Sequence, residues 1–438
     1  MSVVQFAGRQ SRGLSPLPKS TIVAAIDMGS TKISCLIGEA SLQRGRADAA
    51  PSLRVLGLGQ TASRGIRSGA VIDVNEAECA IRVAVDAAER QSQTSISKVM
   101  VSISGGRPQT QCRAGTSRTQ TGVVGPRDLD LAIQQALATA ELSRRSVLHL
   151  HPVNHTLDGV NQIDQPLGLH GEALQVDIGI TTVDPSFLRN MTMAIERAHL
   201  HPAGFVLAPY AAAKAALTPD EMDLGTVLID MGGAVTSLAY LRGGKLVAAE
   251  SLSLGGLHLT NDVAQGLSTS IAHAERMKTL FGNVLSGGHG ERELLAVPLL
   301  GERGTDSVQK VPKSYLNNIL RARAEEMLEL VNARLATSPF AASAGVKVVL
   351  TGGTSQLAGL RELAANVLCR PVRLGQAAAL TGLSEHARTG SLAAASGALL
   401  YAANPDQHYA MPAASQIELQ RARMGYARRV GQWLADAL

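Results

Sequence analysis

Asp27 and Asp230 each close a short apolar run and precede Met, Gly and a small residue, in "AAIDMGSTKISCLIG" and "VLIDMGGAVTSLAYL". A strand that ends on Asp before a glycine can present backbone N–H groups to an anion, because the missing Cβ lets the chain approach closely. In the first turn Ser30, Thr31 and Lys32 follow Gly29, and hydroxyls beside an ammonium suit terminal phosphates. Asp27 suits a Mg²⁺ held through water. In the second turn Asp230 precedes Gly232 and Gly233, a second carboxylate and a second bare backbone for one polyphosphate. Asp-x-Gly alone is an ordinary strand end. Its duplication is what carries information.

Two further stretches have useful spacing. "VKVVLTGGTSQLAGLRELA" reads as a buried strand, a Gly352-Gly353 turn and a helix beginning near Ser355, where a nucleotide can lie against backbone. "AHAERMKTLFG" puts Glu275 and Lys278 on one helical face. The same spacing also makes an ordinary surface ion pair.

The elements that position these residues repeat as well. From residue 21 the pattern predicts a strand, the turn, a second strand, a polar loop and a third strand. A helix follows, with apolar residues at Ala80, Val83, Ala84, Ala87 and Ala88 and Asn75 as its cap. The second copy runs GTVLIDMGG, then VTSLAYLRGGKLVAAESL with a hairpin turn at Gly243-Gly244, then the helix TNDVAQGL. A repeat of this size predicts two homologous α/β domains facing each other.

Composition narrows the class. Hydrophobic residues make up 45% of 438 but aromatics only 3%, so the cores must be built from Ala, Val, Leu and Ile. A net charge of +5 is mild for this length and argues against a nucleic-acid partner. Cys35, Cys79, Cys112 and Cys369 have no metal or disulfide spacing and read as reduced core thiols of a cytosolic protein. No run reaches the ~18 uninterrupted apolar residues of a membrane span, and residues 1–20 read as a disordered extension.

The tail reads differently. In "GYARRVGQWLADAL" a helical wheel puts Tyr426, Val430, Trp433, Leu434 and Leu438 on one face, with Arg428 and Arg429 available to anionic lipid. That pattern predicts a helix lying in a membrane surface beyond a polar linker.

Together these residues resemble the actin-like ATPase superfamily. Residues 27–32 match its first phosphate loop, 230–233 the second, Gly352 and Gly353 the adenosine motif, and Glu275 and Lys278 the E-x-x-K beside the nucleoside. "GFVLAPYAAAKAALTPDEMDLG", "SIAHAERMKTLFG" and "ALTGLSEHA" further resemble the bacterial FtsA cell-division family. The resemblance implies an α/β fold of duplicated ribonuclease-H-type domains, an inserted small α+β domain, 1C, and a C-terminal amphipathic helix. It places domain 1A at 21–96, 183–218 and 383–401, 1C at 97–182, domain 2A at 219–258 and 346–382, and 2B at 259–345. A linker at 402–423 and the helix at 424–438 complete it.

The implied function is to bind ATP and Mg²⁺, self-assemble into filaments, tether FtsZ to the cytoplasmic membrane at the septum and recruit other division proteins. The FtsZ C-terminal peptide is expected on the 2B insertion, with Arg321 and Arg323 suited to its acidic character and apolar neighbours as a groove floor. The chain departs from the family pattern at Ala234, Val235 and Ser237, where Gly, Thr and Asp are usual. Ala208 stands where efficient relatives carry a water-orienting Glu or Gln, so no catalytic residue is assigned and ATPase activity is expected to be weak or absent. The alternatives are a PilM-like pilus-assembly protein, which would lack the amphipathic tail, and an active actin-fold ATPase or kinase.

Overall fold

The computed structural model describes residues 20–41, 52–285, 290–301, 308–338, 346–404 and 409–410. The expected N-terminal extension, most of the linker and the amphipathic helix at 424–438 lie outside them. Two five-stranded sheets dominate. Across the first run His201–Leu207, Lys98–Ile103, Thr21–Met28, Lys32–Ser41 and Ser52–Ala62. Across the second run Val372–Leu374, Lys347–Thr351, Thr226–Met231, Thr236–Arg242 and Lys245–Leu252. Each is an antiparallel meander of three strands extended by two parallel ones, and the strand order is the same. The duplication extends to register. Asp27 pairs with Ser34 on one side and Ser102 on the other, and Asp230 pairs likewise with Ser237 and Thr351. The meander turn at Gly243-Gly244 has φ of 57° and 69°, which suits a tight hairpin.

The strand Lys98–Ile103 corrects the expected domain boundary. It pairs in parallel with Thr21–Met28 and is buried from Val99 onward, so it is a central strand of the first sheet. The insert begins after it. Its sheet comprises Gln109–Arg118, Ala173–Val183 and Ser146–Leu157, with Tyr409–Ala410 added at the edge. The helix Pro126–Ala138 covers it and buries Ala132, Ile133 and Ala136 in a separate core with Val176, Ile178 and Ile180.

The insert is tied to both halves. At its root Arg145 Nη1 meets Asp184 Oδ1 at 2.7 Å, Arg107 Nε meets Asp184 Oδ2 at 2.8 Å, and Arg145 Nη2 donates to the Thr182 carbonyl at 2.8 Å. Beside the same root, Thr110 Oγ1 accepts from the Ala249 N–H of the second sheet at 3.1 Å, and His149 Nε2 accepts from the Leu207 N–H of the first sheet at 3.1 Å.

The helices Ala208–Ala216 and Ala393–Ala403 pack into the core that the first sheet shares with Leu228, Ala239, Leu241 and Val349 of the second. They meet through small residues. A Cβ on Gly397 would fall 1.7 Å from the Ala211 carbonyl oxygen, so the contact is backbone to side-chain-free backbone. The second half carries its own insertion: helices Gly256–Gly266, Ile271–Phe281 and Lys313–Thr337 with a hairpin of Leu294–Pro298 and Val308–Pro312.

Several local expectations change. Asp73, not Asn75, caps the helix Val74–Ser92, because Asp73 is the extended residue and its carboxylate accepts from the N–H of Asn75 and Glu76. The buried stripe is Ala77, Ala80, Ile81, Ala84, Val85 and Ala88, which leaves Val83 exposed. All four cysteines are free, but only Cys35 is buried. The repeat helix starts at Gly256, ahead of the expected TNDVAQGL. After Gly352-Gly353 the chain makes a short 3-10 turn, Thr354–Gln356, before the helix Leu360–Leu368.

Candidate functional site

A cleft of about 470 Å³ lies between the two halves. Asp27, Gly29, Ser30, Thr31, Lys32, Asp230, Gly232, Gly233, Glu275, Lys278, Gly352 and Gly353 all line it. The two strand ends carry the carboxylates to equivalent positions in the two sheets, so the duplicated register puts Asp27 and Asp230 in one space. The turns approach so closely that a Cβ on Gly233 would sit 2.3 Å from Thr31 Cγ2. Gly352 has φ +88° and faces the same carboxylate, where a Cβ would come 2.4 Å from Asp230 Oδ1. Both glycines are thus required by space.

The electrostatics are lopsided. Burial pushes the Asp27 carboxyl up, opposed by a 2.8 Å hydrogen bond from Ser102 Oγ and by Lys32. Asp230 is pushed up to about 7, by burial first and then by the charge of Asp27. Its register equivalent of Ser102, Thr351, instead donates to the Gly375 or Gly390 carbonyl. Lys32 is itself pulled down by burial and reaches Ser391 Oγ at 3.2 Å. Two buried carboxylates with one weakened ammonium leave room for added positive charge. The donor set fits a Mg²⁺ held through water and phosphate oxygens; among the described residues no cluster of three or more metal-ligating side chains exists.

The second turn is held from behind. The Gly232 carbonyl accepts from Gly256 N at 3.0 Å and Thr354 Oγ1 at 2.8 Å, and the Gly233 carbonyl accepts from Leu257 N at 2.6 Å. In the first turn Ser30 Oγ accepts from Gly69 N at 2.9 Å, which leaves its proton to donate. Ala208 and Val235 also line the cleft, which makes its wall apolar at both positions.

Sequence reasoning missed Ser102, Thr354, Gly256 and Ser391. Ser102 had a signal, as the single polar residue in the buried part of a strand. Thr354, Gly256 and Ser391 reach the site through tertiary packing and carried none.

The structure does not bring Arg321 and Arg323 to the cleft. Both lie on Lys313–Thr337, where Arg321 pairs with Glu325 at 2.8 Å, and Arg323 pairs with Asp262 of the neighbouring helix and with Glu326. Leu316, Leu320, Ala324, Met327 and Leu328 of the same helix are buried in the second core, so they form no groove floor. Tyr426, Arg428, Arg429, Val430, Trp433, Leu434 and Leu438 lie outside the described residues.

Two equivalent sheets, a cleft between them and a carboxylate-glycine turn from each define an actin-like protein. Among solved structures, the chain is similar to the PilM-PilN type IV pilus biogenesis complex (TM-score 0.59, 18% identity, covering 87% of this chain and 98% of that one). It is also similar to MreB 5 of Spiroplasma citri bound to AMPPNP (0.52, 13% identity, 89% and 98%). At these identities the likeness establishes the fold.

The family model for cell division protein FtsA matches residues 227–397, and that for the SHS2 domain inserted in FtsA matches 105–182. The chain is 37% identical over 432 residues to cell division protein FtsA of Rhizobium meliloti (strain 1021), spanning 97% of each. It is 28% identical over 420 residues to that of Escherichia coli (strain K12), spanning 94% and 97%. The chain belongs to the FtsA family of cell-division proteins. Among the described residues no helix is long and apolar enough to cross a membrane.

Proposed function

We propose that the protein binds ATP with Mg²⁺ in the interdomain cleft, turns it over slowly, and uses the bound nucleotide to favour self-assembly at the division site. The observation that carries this reading is the pair of buried carboxylates, Asp27 and Asp230, on equivalent turns around one cleft. Lys32 and the hydroxyls of Ser30 and Thr31 would hold phosphate, and the bare backbone at Gly29, Gly232, Gly233, Gly352 and Gly353 would let the ligand lie close. Bound Mg²⁺ would neutralise phosphate charge between the two carboxylates. Ala208 on the connecting helix offers no group to orient a water, so turnover should fall far below one per second, against ~10 per second for a typical enzyme. The test is ATP binding with and without EDTA, alongside single-turnover release of phosphate. Tight, Mg²⁺-dependent binding with slow release is expected; brisk hydrolysis would overturn the proposal.

The partner end of the proposal is that assembled protein links FtsZ to the cytoplasmic face of the membrane, the FtsZ C-terminal peptide on the second-half insertion and the tail at 424–438 in the lipid. Arg321 is paired with Glu325, and Arg323 with Asp262 and Glu326, so an acidic peptide would compete with these carboxylates for both. One short amphipathic helix binds weakly and many on a filament bind well, through effective concentration. Flotation with anionic vesicles should therefore recover the full chain under assembling conditions. It should lose a chain ended after Gln420 and a Trp433→Glu variant. Equal flotation of the shortened chain would move the anchor elsewhere.

A further inference from the structure

Glu275 and Lys278 line the cleft, but the residue that fixes them lies behind it. Thr260 is fully buried on the helix Gly256–Gly266. Its hydroxyl is 2.5 Å from Glu275 Oε2 and 2.9 Å from the Gly256 carbonyl, and Lys278 Nζ lies 2.9 Å away. A hydroxyl has one proton to give. The carboxylate is nearer and charged, so it takes that proton, and the hydroxyl lone pair accepts from Lys278. The Gly256 carbonyl is served by Lys278 Nζ at 3.1 Å. Lys278 also meets Glu275 Oε2 at 2.7 Å. The three ammonium protons are then spent on Thr260, Gly256 and Glu275.

Glu275 differs. Both of its bonds use Oε2, Oε1 takes none among the described residues, and its side chain is 48% exposed.

We infer that Thr260 is a positioning residue for the nucleoside end of the cleft. It holds Glu275 by one oxygen and leaves the other for a hydroxyl-bearing ligand, while Lys278 neutralises and ties the carboxylate. This rests on the nucleotide reading above. Valine has the shape of threonine without the hydroxyl; serine keeps the hydroxyl.

The experiment is calorimetric titration of the full chain with Mg·ATP and with Mg·tripolyphosphate, which has no nucleoside. Thr260→Val should weaken ATP about tenfold, the worth of a hydrogen bond to a charged group, and leave tripolyphosphate unchanged. Thr260→Ser should restore ATP binding. Lys278→Met opens the same network from the cleft side and should reproduce the Thr260→Val pattern if that variant fails to fold. The double variant should be no weaker than the worse single one, because both act through one carboxylate.

Additive losses, or equal losses for ATP and tripolyphosphate, would overturn the inference, as would wild-type ATP affinity in Thr260→Val. A wild-type protein that binds no ATP would overturn the nucleotide reading and the inference with it.

Discussion

Gly397→Ala should cost the folded protein about 3 kcal/mol or more, the upper end of what an overpacked core costs. The added methyl would lie 1.7 Å from the Ala211 carbonyl oxygen and 2.4 Å from its carbon. Both atoms are backbone, so no rotamer change relieves the clash. The helices Ala208–Ala216 and Ala393–Ala403 must separate, and they pack into a core built from residues of both sheets. Chemical denaturation should show a lowered midpoint and thermal melting a drop of several degrees. Gly125→Ala is the control. Its φ is −104°, and the nearest atom to its new methyl, Asp128 Oδ2, is 3.5 Å away, so only the modest loss of a glycine N-cap is expected and its midpoint should move far less.

Asp230→Asn should have opposite effects on stability and on ligand binding. In the ligand-free protein the Asp230 carboxyl is raised from 3.8 to about 7, so the folded state holds its proton more tightly than the unfolded chain does. Stability from this group is therefore greatest at low pH and falls as pH rises from about 4 to 7. Above that window the penalty is complete, on the order of 4 kcal/mol. An amide cannot ionise, so the variant should gain about 2 kcal/mol near pH 8, after allowing for an imperfectly bonded amide. Its pH slope between 4 and 7 should flatten. Binding of Mg·ATP should meanwhile fall about ten- to hundredfold, as when a residue that orients metal-bound water is lost. Melts at pH 5 and pH 8 with and without Mg·ATP would check both halves. A variant less stable than the parent at pH 8 would mean that Asp230 is not the uncompensated charge.

The two turns were legible because the same chemistry was written twice at strand ends, and duplication survives without any knowledge of packing. The first sheet was legible except at one place. Residues 98–103 look like the insert's own first strand because the next strand, Gln109–Arg118, follows after a short Gly-containing connection, and pairing partners are invisible in a linear pattern. Arg321 and Arg323 looked like a free basic face since Asp262, which neutralises Arg323, is 61 residues away. Glu275 and Lys278 could be paired from their spacing. Thr260 could not, because the angle between two short helices decides whether its hydroxyl meets them. Val83 was assigned to the buried face by periodicity, yet the helix is turned so that Ile81 and Val85 take that role.

Contacts near the root of the insert tie it to both halves of the molecule. The Arg145–Asp184–Arg107 cluster clamps its root to the first half, and Thr110 grips a strand of the second. The chain that enters the root leaves the cleft wall at Ser104, only a few residues before Arg107. A change in the angle between the halves therefore has two outlets. Either the strand Lys245–Leu252 slides along the insert's sheet and the Thr110 bond breaks, or the clamp yields and the insert swings as an arm about its root. In either case the Thr110–Ala249 bond, beside the root of the insert, is a place where a change in the angle between the halves would be felt by the insert.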